Sequence, residues 1–254
     1  MSTDFAGGTV RAEVSGEGQV IWLFHSLLAD AGSCAPLAAR LAATHRVILP
    51  DLPGFGGSAD VGPDLEAIAD RMAEAVREQG APAVILGNGY GSFVALMLAL
   101  RHADLVSRLV LAGTGACFSE PGRAAFTGMA NAAEARGLAA IADVAMRRLF
   151  SPEFQDANPG LVAERRAAFL ATDPVVFMGA ARALAALDLR ERVRTLQTPA
   201  LLLVGERDEA TPPAMARELA ALLPQAKLVE LAGLAHVPQL QDTARFAAAI
   251  EHFI

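Results

Sequence analysis

Six short runs of mostly apolar residues constrain this chain more than any other feature. They are Val20-Ile21-Trp22-Leu23-Phe24, Val47-Ile48-Leu49, Ala83-Val84-Ile85-Leu86, Leu109-Val110-Leu111, Ala200-Leu201-Leu202-Leu203-Val204 and Lys227-Leu228-Val229-Glu230-Leu231. Near-continuous apolar strands, rather than alternating ones, belong to a sheet covered on both faces. Amphipathic stretches separate them. Leu65 to Gln79 places apolar residues at 65, 68, 69, 72, 73 and 76, a helical period, and Gly80 follows as a stop. Ala35 to Ala43, residues 90 to 102 and Thr243 to Phe253 are further helix candidates. Strands alternating with helices predict an α/β fold with a mostly parallel central sheet and helices on both faces. At 254 residues and 53% hydrophobic content, the chain has material for a large core.

The pattern changes after residue 112. From Phe118 to Arg194 no strand run is convincing. The stretch is rich in alanine and arginine and is broken at Pro121, Pro152, Pro159 and Pro174. The expectation is one α/β core, residues 1–114 and 190–254, interrupted by a helical insertion at 115–189. An insertion at that point would lie over the carboxyl ends of the strands as a lid.

Composition excludes several classes. Lys+Arg is 21 against Asp+Glu 28, a net charge of -7, and no basic cluster overrides it, so nucleic acid is not an expected partner. Lys227 is the one lysine. Cys34 and Cys117 show no CxxC or Cys/His ligand spacing, so no metal site is expected, and a disulfide is poorly motivated. The first residues carry no basic-then-apolar leader, and the apolar run from Phe93 to Leu100 is too short to span a bilayer. These features predict a cytoplasmic protein with a small-molecule substrate, no organic cofactor and no membrane partner. Homo-oligomerisation stays open.

Leu86-Gly87-Asn88-Gly89-Tyr90-Gly91-Ser92 joins an apolar strand to an apolar helix through a tight turn. A strand, a glycine-rich turn and a helix are the setting of the nucleophile elbow G-x-S-x-G. Here the central position is Gly89. Other strand ends carry polar residues too: His25-Ser26 after the first run, Gly205-Glu206-Arg207-Asp208 after the fifth, and His236 after the sixth. Gly89, Asp208 and His236 thus stand in the chain order nucleophile, acid, base.

The chain resembles the α/β-hydrolase superfamily over nearly its whole length, and within it the 3-oxoadipate enol-lactonase group. The resemblance is carried by "FHSLLAD" at 24–30, "DLPGFGGS" at 51–58, "ARGLAAIADVAMRRLFSPEF" at 135–154, "TPALLLVGERDEATPP" at 198–213 and the His236 segment. It implies an α/β-hydrolase fold and roles for particular residues. His236 would be the general base, and Asp208 would accept its Nδ1–H and fix its tautomer. The backbone amides of Leu27 and Tyr90 would form the oxyanion hole. His25, Ser26 and Cys117 would line the substrate pocket. The first loop departs from the usual His-Gly-x, since Ser26 either narrows it or adds a hydroxyl near the oxyanion. One of the arginines Arg123, Arg136, Arg147, Arg148, Arg165 and Arg166 would suit a substrate carboxylate.

Each assignment has a plainer alternative. A loop histidine is often only a surface residue, and Asp208 could cap the helix that Thr211-Pro212-Pro213 opens. Asp51 to Ser58 lacks the Lys-Ser/Thr ending of a phosphate loop and reads as a structural turn. The lid arginines could be helix surface, and His45, His102 and His252 read as surface residues.

Glycine at residue 89 relieves the backbone strain of an elbow and deletes the hydroxyl. Three functions fit. The first is an ester, lactone or enol-lactone hydrolase, impaired or working through water activated by His236 and Asp208. The second is direct His/Asp base chemistry by a lyase, an isomerase or a cofactor-free oxygenase. The third is a non-catalytic binding protein. The retained Asp208 and His236 weigh against the third, since an inert binder needs no oriented base. Ser92 lies about a turn beyond residue 89 and is a poor substitute nucleophile; Ser26 is the better one.

Overall fold

The computed structural model describes residues 1–80 and 82–254. An eight-stranded sheet forms its centre: β1 Ser2–Phe5, β2 Val10–Ser15, β3 Gln19–Phe24, β4 His45–Pro50, β5 Ala83–Asn88, β6 Val106–Ala112, β7 Ala200–Gly205 and β8 Ala226–Leu231. Their spatial order is β1-β2-β4-β3-β5-β6-β7-β8. All pairings from β4 to β8 are parallel, whereas β1 with β2 and β2 with β4 are antiparallel. Every residue of β5 and of β7 is buried, which explains their unbroken apolar sequences.

The six runs read from the sequence are β3 to β8. The N-terminal pair β1 and β2 went unread. In β1 only Phe5 is buried, and β2 alternates buried Val10 and Ala12 with exposed Arg11 and Glu13. This antiparallel ribbon lies at the sheet's edge and carries a polar face, so it lacks the continuous apolar signal.

Helices α1 Ala35–Leu41, α2 Leu65–Glu78 and α3 Tyr90–Arg101 connect the first strands. The α2 helix buries Leu65, Ile68, Ala69, Met72, Ala73 and Val76, the stripe seen in sequence, and adds Ala75; Asp64 caps it by accepting from Glu66 N. The α3 helix is buried nearly all round, at the centre of the molecule. Five helices fill the interval between β6 and β7: α4 Glu120–Arg136, α5 Ala142–Leu149, α6 Pro152–Ala157, α7 Pro159–Leu170 and α8 Pro174–Ala186. Pro121, Pro152, Pro159 and Pro174 all stand in first turns, where a missing N–H costs nothing. The chain closes with α9 Pro213–Leu222, α10 Pro238–Gln241 and α11 Thr243–Ile250. Among the described residues, no single helix is long and apolar enough to cross a membrane.

Candidate active site

The elbow is built although its side chain is missing. Gly89 joins β5 to α3 with φ 53° and ψ -119°, a conformation that glycine adopts without the penalty a side chain brings. The neighbouring glycines are held by close packing. A Cβ on Gly87 would lie 2.4 Å from Gly91 O, and one on Gly91 would lie 2.3 Å from Phe24 O. Ser92 Oγ lies 2.7 Å from Gly87 O and 2.9 Å from Ala112 O and shares its one proton between them, so its hydroxyl ties the turn together.

Opposite Gly89 lies His236, on the loop after β8. Its Nδ1 is 2.9 Å from Asp208 Oδ2, and both side chains are buried. The carboxylate can only accept, so Nδ1 carries a proton, and in the neutral ring Nε2 is the bare nitrogen. Asp208 is held from every side. Its Oδ1 accepts from Ala210 N at 2.9 Å and Thr211 N at 2.8 Å, and its Oδ2 accepts from Thr211 Oγ1 at 2.8 Å. The neighbouring acids do other work: Glu206 accepts from Gly233 N, and Glu209 lies exposed. The backbone of His236 is anchored as well. Asn88 Nδ2 donates to His236 O at 2.8 Å, and Gln239 Nε2 donates to Asn88 Oδ1 at 3.1 Å. Sequence reasoning missed Asn88, Thr211 and Gln239. The available signal was Asn88 itself, a buried amide at the end of an apolar strand, which must find partners.

His236 Nε2 points at the elbow, 2.7 Å from the position of a Cβ built on Gly89. Leu27 and Tyr90 line the same space. Neither Leu27 N nor Tyr90 N donates to a protein acceptor among the described residues. Tyr90 N is the first amide of α3, where the orphaned donors and the helix dipole favour an anion. The cavity between these groups is about 20 Å³, room for one water molecule. Phe118, Phe126, Arg148 and Leu184, all from the segment between β6 and β7, cover it.

The structure separates the other sequence candidates. Ser26 lines the cavity, its Oγ 3.5 Å from His236 Nε2. His25 does not line it; its ring sits behind, accepting from Leu52 N at 3.1 Å through Nε2 and meeting Ser26 O at 3.0 Å through Nδ1. Burial pushes its pKa below the ordinary histidine value. Cys117 lies outside the cavity too, on a short bridge to Asp188. It stands at the root of the inserted helices rather than on their inner face.

The six arginines also sort themselves. Arg165 pairs with Asp30 and Glu164, Arg166 with Asp143, and Arg123 donates to the carbonyls of Phe118, Ala185 and Leu187. Arg136 and Arg147 are exposed. Arg148 alone of the six enters the cavity. It has no carboxylate within ion-pairing distance among the described residues. Its guanidinium lies 5.2 Å from the Phe126 ring centroid, and its Nε has no partner. Burial lowers its pKa, with Asp208 and Glu209 opposing, yet a guanidinium stays charged at any physiological pH.

The sequence profile of the alpha/beta hydrolase family matches residues 15–249. A pimeloyl-[acyl-carrier protein] methyl ester esterase of Aromatoleum aromaticum is 33% identical over 230 residues, covering 86% of this chain and 91% of that protein. Among solved structures, the enol-lactonase of Burkholderia xenovorans LB400 superposes with a TM-score of 0.92 at 28% identity, covering 100% of this chain and 99% of that one. A thermophilic esterase of Thermogutta terrifontis gives 0.89 at 25% identity, over 100% and 97%. The chain therefore belongs to the alpha/beta hydrolase family, as an ester-hydrolase-like enzyme whose elbow holds glycine where the family's motif has serine.

Proposed function

We propose that this protein hydrolyses the acyl–oxygen bond of a small carboxylic ester or lactone, with His236 as the base. One observation carries the reading. The bare Nε2 of an Asp208-oriented histidine and two unpaired amides converge on one cavity, at the elbow of a hydrolase fold. A base alone would suit many reactions. A base facing two amide donors suits a carbonyl whose oxygen becomes an anion.

The chemistry follows from the groups present. An ester carbonyl oxygen seated on Leu27 N and Tyr90 N is polarised by both. His236 Nε2 takes the proton of the attacking hydroxyl or water. Asp208 stabilises the imidazolium that results. The tetrahedral anion then expels the alkoxide, to which His236 returns the proton. The relatives point to the same bond: one acts on a methyl ester and another on an enol-lactone. Arg148 selects among such substrates. An unpaired cation on the cavity wall favours an ester or lactone that also carries a carboxylate.

The helices from α4 to α8 act as a lid. The roughly 20 Å³ beside Gly89 admits water but no ester. Phe118, Phe126, Arg148 and Leu184 must move outward for substrate to enter. The test is hydrolysis of methyl esters, p-nitrophenyl esters and lactones by the wild type and His236→Ala. Turnover by the wild type that His236→Ala abolishes is the expected result. Turnover that survives His236→Ala, or none with any substrate, would refute the assignment.

A further inference from the structure

The hydroxyl missing from the elbow has a counterpart across the cavity. Ser26 Oγ lies 2.5 Å from where a Cβ on Gly89 would stand, and its Cβ lies 3.1 Å from that point. It fills the volume that a side chain at residue 89 would need. Its one hydrogen-bond partner among the described residues is His236 Nε2, the bare nitrogen of the dyad. Ser26 is 2% exposed, so no bulk water competes for that hydroxyl. Its backbone is pinned independently of its side chain. Ser26 O accepts from Ala29 N at 3.3 Å and faces His25 Nδ1 at 3.0 Å, and Gly91 N donates to His25 O at 3.0 Å. The loop after β3 is thereby stitched to the first turn of α3.

We propose that Ser26 is the nucleophile of this enzyme, its hydroxyl having taken over across the cavity the work of a serine at residue 89. The proposal rests on the hydrolase reading above and names the group that His236 deprotonates. The oxyanion donors support it. In an elbow enzyme one donor is the amide that follows the nucleophile and the other comes from the first loop. Leu27 is the residue after Ser26, and Tyr90 is the residue after Gly89. Moving the nucleophile from 89 to 26 exchanges the roles of these two amides and leaves both in place. The separation of 3.5 Å between Oγ and Nε2 is long for proton transfer and of the kind that tightens when substrate binds.

The steps balance. Ser26 Oγ bonds to the ester carbonyl carbon as its proton passes to His236 Nε2. The carbon–oxygen bond to the leaving group breaks, and the alkoxide takes the proton from His236 and departs as an alcohol. Water then attacks the acyl-Ser26 carbonyl and gives a proton to Nε2. That proton returns to Ser26 Oγ as the acid is released.

The test uses the intact chain in three forms: wild type, Ser26→Ala and His236→Ala. Each is treated with an alkyl fluorophosphonate, which transfers its phosphonyl group to an activated hydroxyl with loss of fluoride. Peptide mass mapping locates the adduct, and p-nitrophenyl ester hydrolysis is measured in parallel. One adduct on the peptide containing Ser26, dependent on His236, is the expected result. Ser26→Ala should lose roughly 10³-fold or more in hydrolysis, as removal of a nucleophile does, while melting within a few degrees of wild type. If Ser26→Ala proves unstable, Ser26→Cys should be alkylated by iodoacetamide faster than the same variant carrying His236→Ala. Wild-type hydrolysis by Ser26→Ala with His236→Ala silent would overturn Ser26 and keep the hydrolase, with water attacking directly. A Ser26 adduct without ester turnover would keep the nucleophile and refute the ester substrate. Absence of both overturns both.

Discussion

The two sides of the cavity are built to different standards. On the acid–base side the side chains are tied into one network. Asp208 takes three protein donors besides His236, and the backbone of His236 is held by Asn88, itself held by Gln239. On the elbow side the turn, the glycine packing and the orphaned amide of Tyr90 persist around a residue with no functional group. A buried carboxylate with this many donors is costly to assemble. A protein that only bound a ligand would gain nothing from it. The contrast is what the proposed move of the nucleophile from residue 89 to Ser26 would leave behind.

The largest effect should come from the intact side. His236→Ala removes the base, and proton transfer by a positioned side chain is worth about 10² to 10⁴ in rate. Asp208→Asn should approach the same loss while the fold survives, because the amide would favour the wrong tautomer of His236. Ester hydrolysis at saturating substrate reads both. If Asp208→Asn were near wild type, the network around Asp208 would be structural only.

The next test rebuilds the empty side. Gly89→Ser places a Cβ 2.5 Å from Ser26 Oγ and 2.7 Å from His236 Nε2, and it demands φ 53° of a non-glycine residue. Strain of that kind costs about 1–3 kcal/mol, readable as a lowered Tm. Gly89→Ser alone should crowd Ser26 aside. Gly89→Ser combined with Ser26→Gly clears the Oγ and the Cβ and restores the usual elbow. That double variant should hydrolyse esters at least as fast as the wild type. If Gly89→Ser were instead neutral in stability, the loop after β3 would be more yielding than its hydrogen bonds suggest.

A smaller effect is expected on the cavity wall supplied by the helices between β6 and β7. Arg148→Gln should raise KM for esters carrying a carboxylate by about 10- to 100-fold, the range of a charge-assisted hydrogen bond. Uncharged esters should show little change. Equal losses on both classes would mean that Arg148 holds the lid through Phe126 and Ala210 O rather than reading the substrate.

Much of this was legible in the chain. Buried parallel strands write themselves as apolar runs, so β3 to β7 stood out; the edge strand β8 still showed as Leu228, Val229 and Leu231, and the loops at the strands' carboxyl ends displayed Asp208 and His236. Three things did not. The β1–β2 ribbon carries one polar face and no continuous run. Choosing Arg148 from six arginines needs the direction of a side chain, because α5 presents Arg147 to solvent and Arg148 to the cavity one residue apart. The closeness of Ser26 to His236, residues 210 apart in sequence, follows only from the order in which the strands lie side by side.

His25 offers the mildest test, and it probes the loop that carries Ser26. Burial holds its pKa below the ordinary 6.5, since its Nε2 accepts from Leu52 N and a second proton would break that bond. The unfolded chain therefore takes up a proton at a pH where the folded chain does not. The stability this group contributes is complete above pH 6.5 and is lost as pH falls through that value toward the folded-state pKa. The wild-type Tm should accordingly decline more steeply on acidification than that of His25→Gln, whose side-chain oxygen can still accept from Leu52 N. Ester hydrolysis at neutral pH gives the second readout. His25→Gln should flatten the stability profile and leave ester hydrolysis at neutral pH near that of the wild type. If hydrolysis fell as well, the His25 ring would be holding Ser26 in place, and the loop after β3 would be less rigid than a nucleophile requires.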